Sequence, residues 1–243
     1  MKIGIVGLGA FGSFLARQFS LYGVMVAGFD PAGSSKSAGI KLADSLDSLV
    51  KSADVLVLAV PAQLYQGVLS DILKADPNLE GKLIVDVASV KVYTERIILD
   101  ALEGTDGQYA AIHPLFGPES AARGLSGHTI IHCSSNGELA DQLLSLLRQA
   151  GLVIEDMTAD QHDQAMAYAH VLPFVIGRAL NNMELAEFEV ETPSLKKLAA
   201  VAEIDAAHSD QLFETIVCHN PYAKEAISRL KESLGKVSSI CPP

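Results

Sequence analysis

A glycine-rich turn near the start of the chain, between an apolar strand and an amphipathic helix, most constrains the fold. Lys2 to Val6 forms a short apolar run, and Gly7-Leu8-Gly9-Ala10-Phe11-Gly12 follows it directly. Apolar side chains then recur at helical spacing. A second apolar run, from Val24 to Phe29, ends at Asp30. This order of strand, glycine turn, helix and strand-closing carboxylate is typical of a dinucleotide-binding site.

The three glycines of the turn have separate roles in such a site. Gly7 makes the tight turn, and Gly9, which has no Cβ, lets a pyrophosphate approach the backbone. Gly12 lets the helix pack closely on the strand. Ala10 and Phe11 open the helix, whose N-terminus offers N–H groups and a positive dipole end to the phosphates. These five residues are the predicted cofactor-binding turn.

Asp30 indicates which dinucleotide is bound. Its carboxylate can accept hydrogen bonds from both ribose hydroxyls of NAD, whereas the 2′-phosphate of NADP would meet its negative charge. NAD is therefore the predicted cofactor, and NADP is less favoured. Ser34, Ser35 and Lys36 follow closely, and they leave a phosphate site open as the alternative to a plain polar loop.

Composition excludes several classes of protein. The chain has 243 residues, and 49% of them are hydrophobic, which is enough for a large core. Its net charge of −11, without a basic tract, argues against nucleic-acid or anionic-membrane binding. Cys133, Cys218 and Cys241 are widely spaced, which predicts neither a disulfide framework nor a metal site and favours the reducing cytoplasm. The N-terminal apolar run is interpreted as a strand rather than a secretion signal, and no apolar run reaches the roughly 20 residues needed to cross a bilayer.

Alternating apolar strands and helices predict a doubly wound, Rossmann-type α/β sheet. The predicted strands after the first two are 55–60, 82–87, 108–112, 128–133 and 152–155. In such a sheet, ligands lie beyond the carboxyl ends of the strands. Val60 and Pro61 are therefore expected to border the cofactor, in a dinucleotide-binding domain formed by residues 1–156.

Residues 157–243 are predicted to form an all-helical dimerisation and substrate domain. A long helix from Asp160 to Asn182 is apolar over much of its circumference, and Pro173 is expected to kink it. Further helical segments are predicted at 195–202, 206–218 and 222–234. So small a helical domain cannot cover such a helix alone, which predicts a homodimer formed through this domain.

Three residues at the predicted ligand edge are candidates for chemistry. Ser89 follows a strand and precedes a helix, so a substrate contact and a plain N-cap are both open. His113 follows the next strand, where an imidazole is suited to accept a proton from an alcohol, a packing role being the alternative. Lys91 is either a substrate contact or a solvated side chain. The histidines interpreted as structural are His128, His132, His162, His208 and His219.

Four segments of the chain together carry a family resemblance. They are Gly7-Leu8-Gly9-Ala10-Phe11-Gly12, Val85-Asp86-Val87-Ala88-Ser89-Val90-Lys91, His113-Pro114-Leu115-Phe116-Gly117-Pro118-Glu119-Ser120 and His162-Asp163-Gln164-Ala165-Met166-Ala167. The first is generic, but the second and third in this order are specific. Over essentially the whole chain, the sequence resembles the prephenate and arogenate dehydrogenases of tyrosine biosynthesis. A weaker match to the plant-type members continues through Ile176-Gly177-Arg178 and Thr192-Pro193.

The resemblance implies an oxidative decarboxylation of a cyclohexadienyl ring. Hydride leaves C4 for the nicotinamide, CO2 leaves C1, and the ring becomes a phenol. On this basis His113 takes the proton of the C4 hydroxyl, and Ser89 hydrogen-bonds the hydroxyl or the histidine. The candidate substrate-binding residues are Ser89, Lys91, His113, Glu119, His170, Thr192 and Asp205.

The sequence departs from this family in the C-terminal domain. Many prephenate-using members carry an arginine there that holds a substrate carboxylate, and the corresponding stretch 201–206 has none. It contains Glu203 and Asp205 instead. Arogenate bears an ammonium where prephenate has a keto group, so an acidic residue such as Asp205 favours arogenate. A solvated helix face is the alternative interpretation of these two acids.

Two other classes of protein share parts of this pattern. A β-hydroxyacid or imine reductase also joins a nucleotide domain to a helical dimerisation domain, but it leaves the segment from His113 to Pro118 unexplained. A non-catalytic, NAD-sensing regulatory protein accounts for the missing arginine. Formation of NADH from arogenate, prephenate and hydroxyacids separates these possibilities.

Overall fold

The computed structural model describes residues 1–33, 40–183 and 192–240. The chain divides into two compact units, Met1–Ala159 and Asp160–Pro243. The strands lie in the first unit, and the described part of the second is helical. The residues considered above as a phosphate site, 34–36, and Cys241 lie outside the described residues.

The described strands of the first unit form one sheet. Their bounds are β1 (Lys2–Val6), β2 (Met25–Phe29), β3 (Lys41–Leu42), β4 (Val55–Leu58), β5 (Leu83–Asp86), β6 (Gln108–Pro114), β7 (Thr129–Ser135) and β8 (Val153–Asp156). The spatial order is β3-β2-β1-β4-β5-β6-β7-β8. Neighbours are parallel except β6 and β7. The predicted doubly wound, Rossmann-type fold is confirmed, with its switch point between β1 and β4.

Helices cover both faces of this sheet. They are α1 (Ala10–Leu21), α2 (Leu46–Ser52), α3 (Tyr65–Ala75), α4 (Val92–Leu102) and α5 (Glu138–Gln149), with a short 3-10 turn at Ala62–Leu64. The continuous apolar runs of β4 and β5 divide between two cores by the period of two of a strand. Val57 and Val85 face one core, while Leu56 and Ile84 face the other. Burial on both faces explains why these strands read as unbroken apolar runs.

The second unit contains helices at the predicted positions, with bounds that differ by a few residues and with one irregular segment. Their bounds are α6 (Ala159–Met166), a π-helical segment (Ala167–Val171), α7 (Leu172–Asn182), α8 (Pro193–Ala206), α9 (Asp210–Cys218) and α10 (Ala223–Ser238). The predicted long helix contains the π-helical segment just before Pro173. Because proline lacks an N–H and crowds the carbonyl four residues earlier, a local change of helical hydrogen bonding is a common way to accommodate it. No helix in the described ranges is both long and apolar enough to span a membrane.

Candidate functional site

The glycine turn has the geometry that a dinucleotide site requires. Gly7 has φ +94°, and a Cβ there would lie 2.7 Å from the carbonyl oxygen of Ala59. A Cβ on Gly12 would lie 1.9 Å from the carbonyl oxygen of Gly7. Neither position accepts a side chain without moving the turn. The two glycines therefore set how closely α1 approaches the ends of β1 and β4.

Gly9 is different, because the space beside it is open. A Cβ there would meet no heavy atom of the described residues within 4 Å. Gly9 is the N-cap of α1, and it has no side chain to occupy the helix N-terminus. Gly9 and Ala10 are exposed and Phe11 is half-buried. First-turn amides of a helix lack intrahelical partners, so this position fits a pyrophosphate group.

Asp30 holds the turn from the neighbouring strand. Its Oδ2 accepts a hydrogen bond from the backbone N–H of Leu8 at 2.8 Å, and its Oδ1 accepts one from Ala32 at 2.9 Å. A carboxylate has about four acceptor positions, so Asp30 retains capacity for ribose hydroxyls. Val60 and Pro61 follow β4, and a methyl group of Val60 lies 2.7 Å from where a Gly7 Cβ would be. The predicted cofactor residues thus share one edge of the sheet.

A buried polar cluster lies at the end of β5. Asp86 and Lys91 are fully buried, and Lys91 Nζ lies 2.8 Å from Asp86 Oδ2. Lys91 also donates to the carbonyl oxygen of Ile112 at 2.6 Å. Tyr65 donates to Asp86 Oδ1 at 2.8 Å, and Thr94 donates to Asp86 Oδ2 at 2.6 Å. Burial, followed by the nearby Asp86 charge, raises the pKa of Tyr65 well above its usual value, so the phenol stays protonated as a donor.

This cluster corrects both interpretations of Lys91. The side chain is neither solvated nor open to a substrate, because its ammonium is enclosed between β5 and β6. Sequence reasoning also missed Tyr65, Asp86 and Thr94. A usable signal was present, since Asp86 is a charged residue in an otherwise apolar buried strand, and such a residue needs a partner.

Ser89 and His113 lie at the carboxyl ends of adjacent strands, Ser89 after β5 and His113 within the last two residues of β6. Asp86 pairs with Ala111 in the parallel register of β5 and β6, which places Ser89 and His113 just beyond the same pair of residues. Ser89 is half-buried and His113 is 4% exposed.

One detail of the predicted segment after residue 112 is wrong. His113 and Pro114 are the last residues of β6 rather than loop residues, because they pair with Ile131 and Ile130 of the antiparallel β7. The register shifts between Ala111 and Ile112. Such irregularities redirect side chains and are common beside active sites. Glu119, another candidate, lies exposed in the turn that follows.

His170, in the second unit, lies in the π-helical segment. Its ring contacts Phe174 edge-on at 5.1 Å, and Phe174 lies 5.3 Å from the ring of His208. Burial, together with the nearby His208 and His162, lowers the pKa of His170 to about 4. His170 is therefore neutral at pH 7, when its two ring nitrogens provide one donor and one acceptor.

Asp205 does not have the surroundings predicted for an ammonium-binding residue. It is 5% exposed, and its Oδ2 accepts hydrogen bonds from Arg178 Nε at 2.7 Å and from Asn181 at 3.1 Å. The hydrogen bond from Arg178 holds the pKa of Asp205 below its usual value. Arg178 also pairs with Asp210 and stacks over Phe213. Arg178 thus already compensates the charge of Asp205, and Asp205 gives no electrostatic preference for arogenate.

Thr192 has a clear local role. It is the N-cap of α8, and its hydroxyl accepts a hydrogen bond from the backbone N–H of Leu195 at 3.1 Å. Pro193 follows at the first position of the helix, as is common. An exposed threonine with this capping bond is sufficient to explain the Thr-Pro pair without a ligand.

The fold and the glycine turn define a class of protein: a Rossmann-type dinucleotide-binding unit followed by a helical unit. Comparison with known proteins narrows this class. Residues 2–90 match the family model described as NADP oxidoreductase, coenzyme F420-dependent. Two curated relatives are Arogenate dehydrogenase 1 and Arogenate dehydrogenase 2, both chloroplastic, from Arabidopsis thaliana. They are 25% and 24% identical to the chain over 94% and 95% of its length.

The chain spans 37% of the first relative and 67% of the second. A solved structure of prephenate dehydrogenase from A. aeolicus, in complex with hydroxyphenyl propionate and NAD+, has 18% sequence identity and a TM-score of 0.79. It covers 99% of this chain, and the chain covers 90% of it. That likeness shows the fold. The two curated relatives are arogenate dehydrogenases, which confirms the resemblance found in the sequence.

Proposed function

We propose that the chain is an NAD-dependent dehydrogenase that oxidatively decarboxylates a cyclohexadienyl substrate in tyrosine biosynthesis. The main support is the arrangement at the carboxyl ends of β1, β4, β5 and β6. The glycine turn follows β1, Val60 and Pro61 follow β4, Ser89 follows β5, and His113 is the penultimate residue of β6. A phosphate-binding turn, a hydroxyl and an imidazole therefore lie along one edge of the sheet, where ligands of this fold bind. The names of the relatives supply the substrate class.

In the proposed mechanism, the protein moves one proton. His113 accepts the proton of the ring hydroxyl, while Ser89 hydrogen-bonds the hydroxyl or the imidazole and keeps the reacting carbon in place. The cofactor, when bound, supplies the acceptor for the hydride that leaves the same carbon. The C–C bond to the ring carboxylate breaks, its electron pair enters the ring, and CO2 and a phenolate result. The phenolate oxygen then takes back the proton held by His113 and becomes the phenol. Aromatisation makes the reaction irreversible.

Arogenate is the proposed substrate, ahead of prephenate. The support is the pair of arogenate dehydrogenases matched over nearly the whole chain, and not Asp205. The test is NADH formation with arogenate, prephenate and a panel of hydroxyacids. Turnover of arogenate above prephenate supports the proposal, and turnover of prephenate above arogenate overturns the choice of substrate. Turnover of hydroxyacids alone would favour the reductase class, and NAD binding without turnover would favour a sensing protein.

We expect NAD to be used in preference to NADP. Asp30 is an acidic acceptor fixed by two backbone amides, so a 2′-phosphate would meet a negative charge that cannot move away. Discrimination of at least about tenfold in kcat/KM corresponds to only about 1.4 kcal/mol. The measurement is kcat/KM for each cofactor at saturating substrate. Equal or better use of NADP would show that Asp30 does not select the cofactor.

We also propose a homodimer formed through the helical unit. The core of this unit is small and centres on Val171, Phe174, Ile216 and Ala223. Large apolar side chains remain exposed on its helices, at Tyr168, Leu198, Leu234 and Val237. A second copy would cover such surface. Light scattering at micromolar concentration is expected to give twice the chain mass, and a monomeric mass would contradict the proposal.

A further inference from the structure

The buried Asp86–Lys91 pair is not needed by the proposed chemistry. Transfer of two charges out of water is costly, and an apolar pair of similar size is often at least as stable. Stability is therefore a weak reason for this ion pair. Its contacts indicate another reason, because they extend to three neighbouring strands.

Each contact is made at or near the carboxyl end of a strand, close to a part of the candidate site. Tyr65 donates to the carbonyl oxygen of Leu58 at 3.0 Å, at the end of β4. Asp86 is the last residue of β5, and its Oδ1 accepts the backbone N–H of Ala88, the residue before Ser89, at 2.8 Å. Lys91 donates at 2.6 Å to the carbonyl oxygen of Ile112, which belongs to the peptide bond joined to His113. Ser89 and His113 are thus each one peptide away from the cluster.

We propose that Tyr65, Asp86, Lys91 and Thr94 form a strand-end network of positioning residues. The network fixes Ser89 relative to His113, and this role rests on the proposed function. Lys91 is the residue that makes the network possible. Its ammonium has three donors on a long stem, so one side chain binds a carboxylate of β5 and a carbonyl of β6 together. Asp86 accepts four hydrogen bonds, which fix its own orientation.

The first test removes both charges at once. Lys91→Met alone leaves a buried carboxylate without its counter-ion and is expected to destabilise the protein strongly. The double variant Asp86→Asn/Lys91→Met removes that problem. We expect it to fold with a melting temperature near that of the unmodified protein and to keep its affinity for NAD. Its kcat should fall by about 10- to 100-fold with little change in KM, because misplacement of reacting groups by about 1 Å costs this much.

Lys82 provides a matched control for the loss of a lysine. It lies before the opposite end of β5, its side chain is 11% exposed, and it donates to the carbonyl oxygen of Ala53 at 3.0 Å. Lys82→Met is expected to change stability without changing kcat.

A second pair of variants, with a smaller expected effect, is used if the double variant does not fold. Thr94→Val removes one hydrogen bond to Asp86 and should lower kcat by several-fold, whereas Thr94→Ser keeps the hydroxyl and should restore it.

A readout that does not depend on turnover completes the experiment. The imidazole signals of His113 in a 1H–13C spectrum, assigned by their loss in His113→Asn, are expected to shift in the double variant and in Thr94→Val, but not in Lys82→Met. Unchanged kcat in the double variant and in Thr94→Val, or unchanged His113 signals in these two variants, would overturn the positioning role. Absence of NADH formation by the unmodified protein with arogenate and prephenate would overturn the proposed function instead, and the spectra would still decide whether the network positions His113.

Discussion

Replacement of His113 by asparagine is expected to lower kcat by about 10² to 10⁴-fold, the usual contribution of general-base catalysis. Asparagine keeps a polar side chain of similar reach but cannot accept a proton near neutral pH. His113 is the penultimate residue of β6 and pairs with Ile131 of β7. The backbone should therefore hold its position, and the melting temperature and the Kd for NAD should change little.

His128 gives the control for this substitution. It lies in the same unit, and its ring contacts Phe116 at 5.2 Å, outside the proposed chemistry. His128→Asn should leave kcat within about twofold of the unmodified value. Steady-state kinetics with NAD, differential scanning fluorimetry and NAD titration are the three measurements. Near-normal turnover of His113→Asn would show that the imidazole has a packing role and that the mechanism is wrong.

Alanine at Gly9 and alanine at Gly12 are expected to have separable effects, although both residues belong to the same turn. In Gly12→Ala the added methyl group meets the carbonyl oxygen of Gly7 at 1.9 Å, so the turn must move. We expect a loss of about 1–3 kcal/mol of stability, as for other overpacked sites, together with a large loss of NAD affinity.

In Gly9→Ala the methyl group meets nothing in the described protein, so stability should be unchanged. It occupies the space where the backbone is expected to approach the pyrophosphate, and the Kd for NAD should rise by about tenfold or more. Thermal unfolding and isothermal titration calorimetry of both variants are the measurements. Normal NAD affinity in Gly9→Ala would show that the pyrophosphate binds elsewhere.

The fold could be predicted because its signals are local in the sequence. The unbroken apolar runs that become β4 and β5 and the turn from Gly7 to Gly12 each lie within a few residues. Period, glycine spacing and the acidic residue after β2 were therefore enough for the sheet and for the position of the glycine turn at its edge. The antiparallel pairing of β6 with β7 was not visible, since strand direction depends on contacts between separate segments. For that reason His113 was predicted in a loop.

The surroundings of the charged candidates could not be predicted for the same reason. The residues that flank Lys91 in the sequence are compatible with an exposed or a buried side chain. Its partner Ile112 contributes only a backbone carbonyl oxygen, which has no sequence signature. Asp205 pairs with Arg178, which lies 27 residues earlier. Two acids on a helix do not reveal that a guanidinium from the adjacent helix is packed against one of them. Pairing of this kind becomes visible only in three dimensions.

The hydrogen bond between Asp30 and the amide of Leu8 has a consequence for coenzyme engineering. A common way to change a dehydrogenase from NAD to NADP is to replace the acidic residue after the second strand. In this chain the same carboxylate also fastens the glycine turn, which is the proposed pyrophosphate site. A neutral or basic substitute would remove the repulsion of the 2′-phosphate and release the loop at the same time. A successful switch of coenzyme will therefore require a second substitution that restores an acceptor for the freed amide.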